Sequence, residues 1–305
     1  MTTKAIAHEV SDPVTAALRP EADGVRAKLS LVFRRNTDSG ATVLAGCDQR
    51  PPLRVVRAFS TEDGAALVHL HNVSGGLLGG DELEMRVNLG AGTAAQITTT
   101  GATRLYRPRL DARLTLQRNE IAIGTGALLE FVPDALIPYA GARFRQETSI
   151  RLEEGAGLFW WEIVAPGREA SGEEFRYERV KWKTDVRVCG KLIASERVRL
   201  DPRQSPPSAP ARFGDHRYCA TFYICRAGMG AKFWGAAEER LREVAAEIDR
   251  GDGSRWGVSM LVSDGLIVRC VARDGYGILP GLRVLWSAAK GMLYGRAAVF
   301  PRKVN

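Results

Sequence analysis

Alternation of apolar and polar residues is the dominant pattern between residues 28 and 200. It is clearest at 113–117, 180–188 and 197–200. A period of two residues, with Val, Ile, Thr and aromatic side chains, is typical of half-buried strands. We interpret these segments as antiparallel strands, and the chain is therefore predicted to be mainly β.

Three segments share the form of an apolar strand, a glycine turn and a second apolar strand. They cover 87–98, 121–132 and 150–164, and each turn carries a Gly-x-Gly sequence. A strand–turn–strand unit that recurs after about thirty residues is typical of stacked layers, as in a β-solenoid or a coiled sandwich. Three ordinary hairpins are the alternative.

Helical periodicity appears only toward the C-terminus. One face of the segment 232–250 is apolar and Gly251 follows it, which predicts a helix that ends at this glycine. A second helix is predicted over 282–293. Short strands are predicted nearby, at 219–225, 256–263 and 266–272.

The domain organisation follows from these elements. Residues 1–24 are polar, carry two prolines and lack periodicity, so we expect a mobile N-terminal tail. Residues 25–305 are expected to form one β-rich domain of stacked, coiled sheets with two covering α-helices. Hydrophobic residues make up 45% of the 305 residues, which is enough for a sizeable core.

Composition also indicates the cellular compartment in which the protein is found. No run of 18 apolar residues is present, and the N-terminus lacks the apolar stretch of a secretory signal. The five cysteines are scattered and form no C-x-x-C pair, a pattern typical of reduced thiols. We therefore expect a cytoplasmic protein that does not enter a membrane.

The chain is basic, with a formal net charge of +8 and a pI of about 9.4. The excess consists mainly of arginines spread singly through the predicted strands. Such a charge can steer an acidic protein partner or bind nucleic acid non-specifically. No nucleic-acid motif accompanies it, so no nucleic-acid partner is expected.

Catalytic motifs are absent from the sequence. It contains no phosphate loop, no Gly-x-Ser-x-Gly elbow and no His-Glu-x-x-His, and only four histidines. His69 and His71 would share one face of a strand, where two imidazoles can bind a borderline metal such as nickel. Two polar residues on a solvated face are the alternative, because no further ligand lies nearby in sequence.

A cluster of glycines is the most unusual local feature. Gly75, Gly76, Gly79 and Gly80 precede Asp81, without the lysine or the glycine order of a nucleotide loop. Glycines at this density indicate a backbone that turns sharply or passes close to another backbone. Asp81 can accept hydrogen bonds from the amides of such a turn. A structural turn is favoured over a ligand contact.

Two carboxylates lie within strongly apolar predicted strands. They are Glu130 and Glu162, and a buried carboxylate needs a partner or a polar environment. Glu162 is either paired, most simply with Arg168, or faces a wet cavity. On the residues alone, a structural ion pair is favoured over a polar channel.

These unusual stretches resemble the UreD (also called UreH) family of urease accessory proteins. The similarity covers 25–305 and excludes the first 24 residues. The motifs that carry it are Asn-Val-Ser-Gly-Gly-Leu-Leu-Gly-Gly-Asp at 72–81, Thr-Thr-Thr-Gly-Ala-Thr-Arg-Leu-Tyr-Arg at 98–107, Leu-Glu-Phe-Val-Pro-Asp at 129–134, Trp-Glu at 161–162, Gly-Arg at 167–168, Gly-Glu at 172–173 and Pro-Arg-Lys-Val at 301–304.

The resemblance implies a β-helix-like fold and a non-enzymatic scaffold for urease maturation. Its implied partners are a UreF-type accessory protein, through it a UreG-type GTPase, and the urease apoprotein. It also implies that nickel passes through a polar tunnel in this subunit, with no tightly bound cofactor. The implied tunnel favours a polar channel, over a structural ion pair, as the environment of Glu130 or Glu162.

Two sets of candidate residues follow from the resemblance. The candidate tunnel or nickel-transit residues are Glu130, Glu162, Asp81, Arg168 and Glu173. The candidate structural glycines are Gly75, Gly76, Gly79, Gly80, Gly101 and Gly167.

Other classes of function remain as alternatives. A β-solenoid carbohydrate-active enzyme would use Glu130 and Glu162 as its two facing carboxylates, although no aromatic-lined cleft is evident. A basic nucleic-acid binder is the third class.

Overall fold

The computed structural model describes residues 24–108 and 113–301. The predicted tail lies outside this part of the chain except for Gly24, whose backbone lies against that of Gly80. Residues 302–304 of the C-terminal motif lie outside it as well. None of the helices in the described ranges has the length and apolar character needed to cross a membrane.

The described residues form strands β1 to β18 and helices α1 and α2. The strands are β1 (Arg26–Arg35), β2 (Thr42–Arg50), β3 (Leu53–Arg54), β4 (Ala58–Ser60), β5 (Ala66–Asn72), β6 (Glu82–Leu89), β7 (Ala94–Thr99), β8 (Thr103–Leu105), β9 (Thr115–Ile123), β10 (Leu128–Phe131), β11 (Leu136–Pro138), β12 (Arg143–Leu152), β13 (Gly157–Val164), β14 (Arg179–Val188), β15 (Lys191–Leu200), β16 (Tyr218–Arg226), β17 (Ser254–Met260) and β18 (Gly265–Ala272). The helices are α1 (Ala231–Asp252) and α2 (Ile278–Tyr294).

Two sheets lie face to face. The seven-stranded sheet has the order β15-β14-β12-β9-β6-β1-β2, and the eleven-stranded sheet has the path β17-β18-β16-β13-β10-β7-β5-β3, with β4, β8 and β11 attached. Most inner neighbours pair in parallel, including β1-β6-β9-β12-β14 in the first sheet and β5-β7-β10-β13 in the second. The fold is therefore mainly β, as predicted.

Each Gly-x-Gly turn joins strands that belong to different sheets. The turns connect β6 to β7, β9 to β10 and β12 to β13, so each unit forms one layer of a stack. The prediction of stacked layers is confirmed, and the alternative of three hairpins is wrong. The segments 113–117 and 180–188, which we interpret from the sequence as antiparallel strands, correspond to β9 and β14. This interpretation is wrong for their pairing with β12, because both β9 and β14 run parallel to β12. Alternation reports which face is buried, not the direction of the neighbouring strand.

Apolar side chains fill two main layers. One core lies between the two sheets, and the other lies between the eleven-stranded sheet and the helices. The second core contains Trp161, Phe222, Leu241 and Trp286, all nearly fully buried.

Both predicted helices are present. The first continues past Gly251 and ends at Gly253, which takes the left-handed conformation with φ of 70°. Glycine adopts this conformation without the steric cost of a Cβ atom. The helices cover the face of the eleven-stranded sheet that points away from the other sheet.

Candidate functional site

A cavity of about 240 Å³ lies between the two sheets. Its rim includes the loop at Gly75 and Gly76 and the turn that contains Gly101. Inward side chains of both sheets line its interior, among them Gln146 from the seven-stranded sheet and Glu162 from the eleven-stranded sheet. Of the five candidate transit residues, Glu162 is the one that borders this cavity.

A row of polar side chains crosses the inner face of the seven-stranded sheet. Asn119, Thr148 and Thr184 occupy facing positions on β9, β12 and β14, and all three point inward and are buried. The Asn119 side-chain amide donates to the Thr148 hydroxyl over 3.0 Å, and Gln117 donates to the Asn119 oxygen over 3.0 Å. Alternation along each strand directs these groups into the core, where hydrogen bonds offset the cost of burial.

Glu162 on β13 faces this polar row from the opposite sheet. The Gln146 amide makes a close hydrogen bond to its carboxyl group, and the Thr184 hydroxyl lies 3.4 Å from Oε2. Burial raises the pKa of Glu162 to about 7, and the nearby charge of Glu196 adds to the increase. Near neutral pH this carboxyl group is therefore divided between its protonated and charged forms.

The polar row continues toward the surface through Glu196. This residue lies beside Thr184 in the sheet and accepts a hydrogen bond from the Tyr223 hydroxyl over 2.8 Å. Arg269 donates to it over 3.1 Å, and the Arg269 side chain is 58% exposed. Polar groups thus extend from the cavity to an arginine on the outside of the molecule.

Glu130 lies on the other face of the eleven-stranded sheet. It pairs in register with Phe159, and because Glu162 is three positions further along β13, the two carboxylates point to opposite faces. Glu130 forms a 3.0 Å ion pair with Lys290 and accepts a 2.9 Å hydrogen bond from the Trp286 indole. It is therefore part of a buried structural pair. The carbohydrate-active alternative, which required these two carboxylates to face each other, is wrong.

Arg168 and Glu173 form an ion pair at the edge of the fold. The Arg168 Nε atom donates to Glu173 over 2.8 Å, and the Arg168 guanidinium lies 4.4 Å from the centre of the Tyr139 ring. The expected pair between Glu162 and Arg168 is therefore wrong. A 3-10 turn at Glu169–Ser171, which ends at Gly172, brings Glu173 back to Arg168. Gly167 lies against the returning backbone, where a Cβ atom would be 2.2 Å from the Glu173 carbonyl oxygen.

The glycine cluster packs closely against neighbouring backbone. A Cβ atom at Gly76 would lie 2.6 Å from the Arg104 carbonyl oxygen, and one at Gly79 would lie 2.3 Å from the Pro108 Cα atom. Gly75 and Gly80 have φ values of 74° and 91°, which glycine adopts most readily. These contacts and angles explain why side chains are excluded from the cluster.

Asp81 anchors the same turn. Its carboxylate accepts hydrogen bonds from the backbone amides of Leu78 over 2.8 Å and Val25 over 3.0 Å, and its side chain is buried. The carboxylate thus joins the start of β1 to the glycine cluster.

His69 and His71 point to the same side of β5. The His69 ring packs edge-on against Phe59, with 5.9 Å between ring centres. Among the described residues, no three His, Cys, Asp or Glu side chains form a group that could hold a metal ion.

Sequence reasoning missed the polar row of Asn119, Thr148, Thr184 and Glu196. These residues come from four strands, and strand register brings them together. A usable signal is a polar residue at the apolar phase of an alternating strand, as at Thr184 between Trp182 and Val186.

Comparison with known proteins gives a consistent result. The family described as UreD urease accessory protein matches residues 25–305. A urease accessory protein UreD of Herpetosiphon aurantiacus is 42% identical over 257 residues, which cover 84% of this chain and 89% of that protein. Proteins with the same description from Anaeromyxobacter and Pseudomonas aeruginosa are 32% and 33% identical, each over 90% of this chain and over 89% and 93% of their own lengths.

Proposed function

The chain belongs to the UreD family of urease accessory proteins, which has a non-catalytic role in urease maturation, and we propose that it is an assembly scaffold. Its proposed partners are a UreF-type accessory protein, a UreG-type GTPase and the urease apoprotein. Its proposed contribution to the assembly is a polar route through the interior along which nickel reaches urease.

The observation that carries the nickel proposal is the position of Glu162 on the cavity. This carboxyl group lies among amide and hydroxyl groups, and the polar row leads from it to the surface at Arg269. Nickel binds imidazole and thiolate ligands more firmly than such oxygen ligands. An oxygen-lined route therefore favours passage of the ion over its storage.

Two buried N–H groups at the cavity support this proposal. The side-chain N–H groups of Asn72 and Trp182 are buried, border the cavity and have no hydrogen-bond partner among the described protein atoms. Water in the cavity would satisfy both groups, and the volume has room for several water molecules. A hydrated route lets the ion keep part of its water shell while it passes Glu162.

The ionisation of Glu162 supplies a second argument. Because its pKa is about 7, a cation that enters the cavity can replace the proton on this carboxyl group at little cost. The passage of nickel would then be coupled to the release of a proton. We place this activity in the cytoplasm, and the free thiols of all five cysteines support a reducing compartment.

The test is nickel-dependent activation of urease by the complete set of accessory proteins. Glu162→Gln keeps the shape and hydrogen-bonding capacity of the side chain but removes its charge. We expect the variant to assemble with its partners normally and to activate urease more slowly. Glu120→Gln is the matched control, since Glu120 is an exposed carboxylate on the outer face of the seven-stranded sheet.

Two results would contradict the proposal. Normal activation by Glu162→Gln, with the complex intact, would show that this carboxylate has no part in nickel delivery. Failure of the unchanged chain to co-purify with a UreF-type partner would remove the scaffold role.

A further inference from the structure

The outer face of the seven-stranded sheet has two differently charged halves. On β1, β6 and β9, charged residues that face each other across neighbouring strands have opposite signs. The facing pairs are Arg26 with Glu82, Lys28 with Glu84, Glu84 with Arg118, and Arg86 with Glu120. Such cross-strand pairs stabilise a sheet.

On β12, β14 and β15 two rows bring like charges together, although Glu147 faces Lys183 between them. Arg145, Lys181 and Arg199 form one row of cations across the three strands, and Arg151 faces Arg187 in another row. Neighbouring strands are about 4.8 Å apart, so these like charges repel each other and lower the stability of the sheet. We call these five residues the basic face.

The carboxylates close to the basic face are already engaged. Asp185 lies 3.3 Å from Lys183 and 2.9 Å from Arg197, and Asp201 lies 3.1 Å from Arg199. Within the described ranges, no carboxylate lies within 4.0 Å of Lys181, Arg151 or Arg187. These three cations are thus available to groups outside the chain.

We propose that the basic face is a docking surface for an acidic surface of a partner protein. Lys181, Arg151 and Arg187 are held at the spacing of the strands, and Arg145 and Arg199, which already pair with Glu147 and Asp201, lie beside Lys181. Carboxylates on a protein surface match such a set of cations, because arginine binds a carboxylate in a planar, two-pronged manner. The repulsion within the face is relieved when the partner supplies the missing negative charges.

The same face is poorly suited to nucleic acid. Glu147 and Asp185 lie among the cations on the outer side of β12 and β14, where they would repel a continuous line of phosphates. A protein surface of mixed charge can place its own cations opposite these two carboxylates. This inference goes beyond the scaffold role, because it specifies which face docks and what chemistry the partner presents.

The experiment measures binding of the full-length chain to fluorescent poly-L-glutamate by anisotropy, with a DNA duplex of equal charge as the second probe. The double variant Lys181→Gln/Arg187→Gln removes two cations from the basic face. Lys28→Gln/Arg86→Gln removes two cations from the alternating half of the same sheet and changes the net charge equally. Thermal unfolding confirms that each variant is folded.

We expect the first variant to bind poly-L-glutamate roughly three- to tenfold more weakly, and the control less than twofold more weakly. Equal losses in both variants would overturn the proposal, because they would show a response to net charge alone. Tighter binding of the duplex than of poly-L-glutamate, lost in the first variant, would assign the face to nucleic acid. Arg145→Gln/Arg151→Gln is a second basic-face variant, with the same expected result.

Discussion

Replacement of Glu162 by glutamine should change how the stability of the protein depends on pH. In the folded chain the pKa of Glu162 is raised from 4.5 to about 7, mainly by burial. Below about pH 4.5 the carboxyl group is protonated in the folded and the unfolded chain, and no penalty arises. Between about pH 4.5 and about pH 7 the folded chain retains a proton that the unfolded chain has lost, so stability falls as the pH rises.

The size of this loss follows from the shift. A change of about 2.5 pKa units corresponds to ~3 kcal/mol, at 1.36 kcal/mol per unit. This is an upper limit, because water in the cavity would screen the charge. Glutamine cannot ionise and keeps the contacts with Gln146 and Thr184 in modified form, so Glu162→Gln should be more stable than the unchanged protein above about pH 7, by up to ~3 kcal/mol.

The assay is urea unfolding of the full-length chain at several values between about pH 5 and about pH 8.5. The informative quantity is the difference in unfolding free energy between Glu162→Gln and the unchanged chain, in which the titration of all other groups cancels. Glu120→Gln provides the control for removal of an exposed carboxylate. If the difference for Glu162→Gln stays constant over this range, the raised pKa of Glu162 is refuted.

Three further outcomes are expected. Glu130→Gln should lower the free energy of unfolding by up to about 3–5 kcal/mol, because the Lys290 ammonium, buried at 1% exposure, loses its closest counter-charge and keeps the more distant Asp63 at 3.6 Å. Glu130→Gln/Lys290→Met should recover most of this loss in urea unfolding, and an unstable double variant would contradict the explanation. Gly79→Val should sharply reduce the yield of folded protein on size-exclusion chromatography, because the Cβ atom of the valine would overlap the Pro108 backbone. Gly101→Ala is the control and should fold normally, since no atom lies within 4 Å of the new Cβ. The isolated chain should aggregate at concentrations at which its complex with a UreF-type partner stays soluble. The reason is that the isolated chain exposes large apolar side chains such as Tyr276, which is 91% exposed. Light scattering that is equal with and without the partner would contradict this prediction.

The elements of the fold follow largely from periodicity. Both helices and the glycine turns between layers are recognisable in the sequence, because a period of 3.6 or 2 residues reflects one buried face. Strand direction has no such signature, and so the parallel pairing of β9, β12 and β14 was missed. A parallel and an antiparallel neighbour bury the same alternate side chains.

The candidate site was predictable only in part. The apolar neighbours of Glu130 and Glu162 mark both carboxylates as unusual, but they do not identify the partners. Glu130 meets Lys290, which is 160 residues away in the chain. Glu162 meets Gln146 and Thr184 across the core, and those contacts depend on the register of two sheets. Proximity in sequence therefore favoured Arg168 as the partner of Glu162, whereas a turn pairs Arg168 with Glu173.

The long separation between Glu130 and Lys290 also constrains the order in which the protein can form during synthesis. A ribosome that adds about 5–20 residues per second needs ~8–30 s to proceed from Glu130 to Lys290. During that interval the face of the eleven-stranded sheet that α2 later covers, including Trp161, has no helix to cover it. The nascent chain therefore passes through an aggregation-prone stage, and this stage ends only when its last helix has left the ribosome.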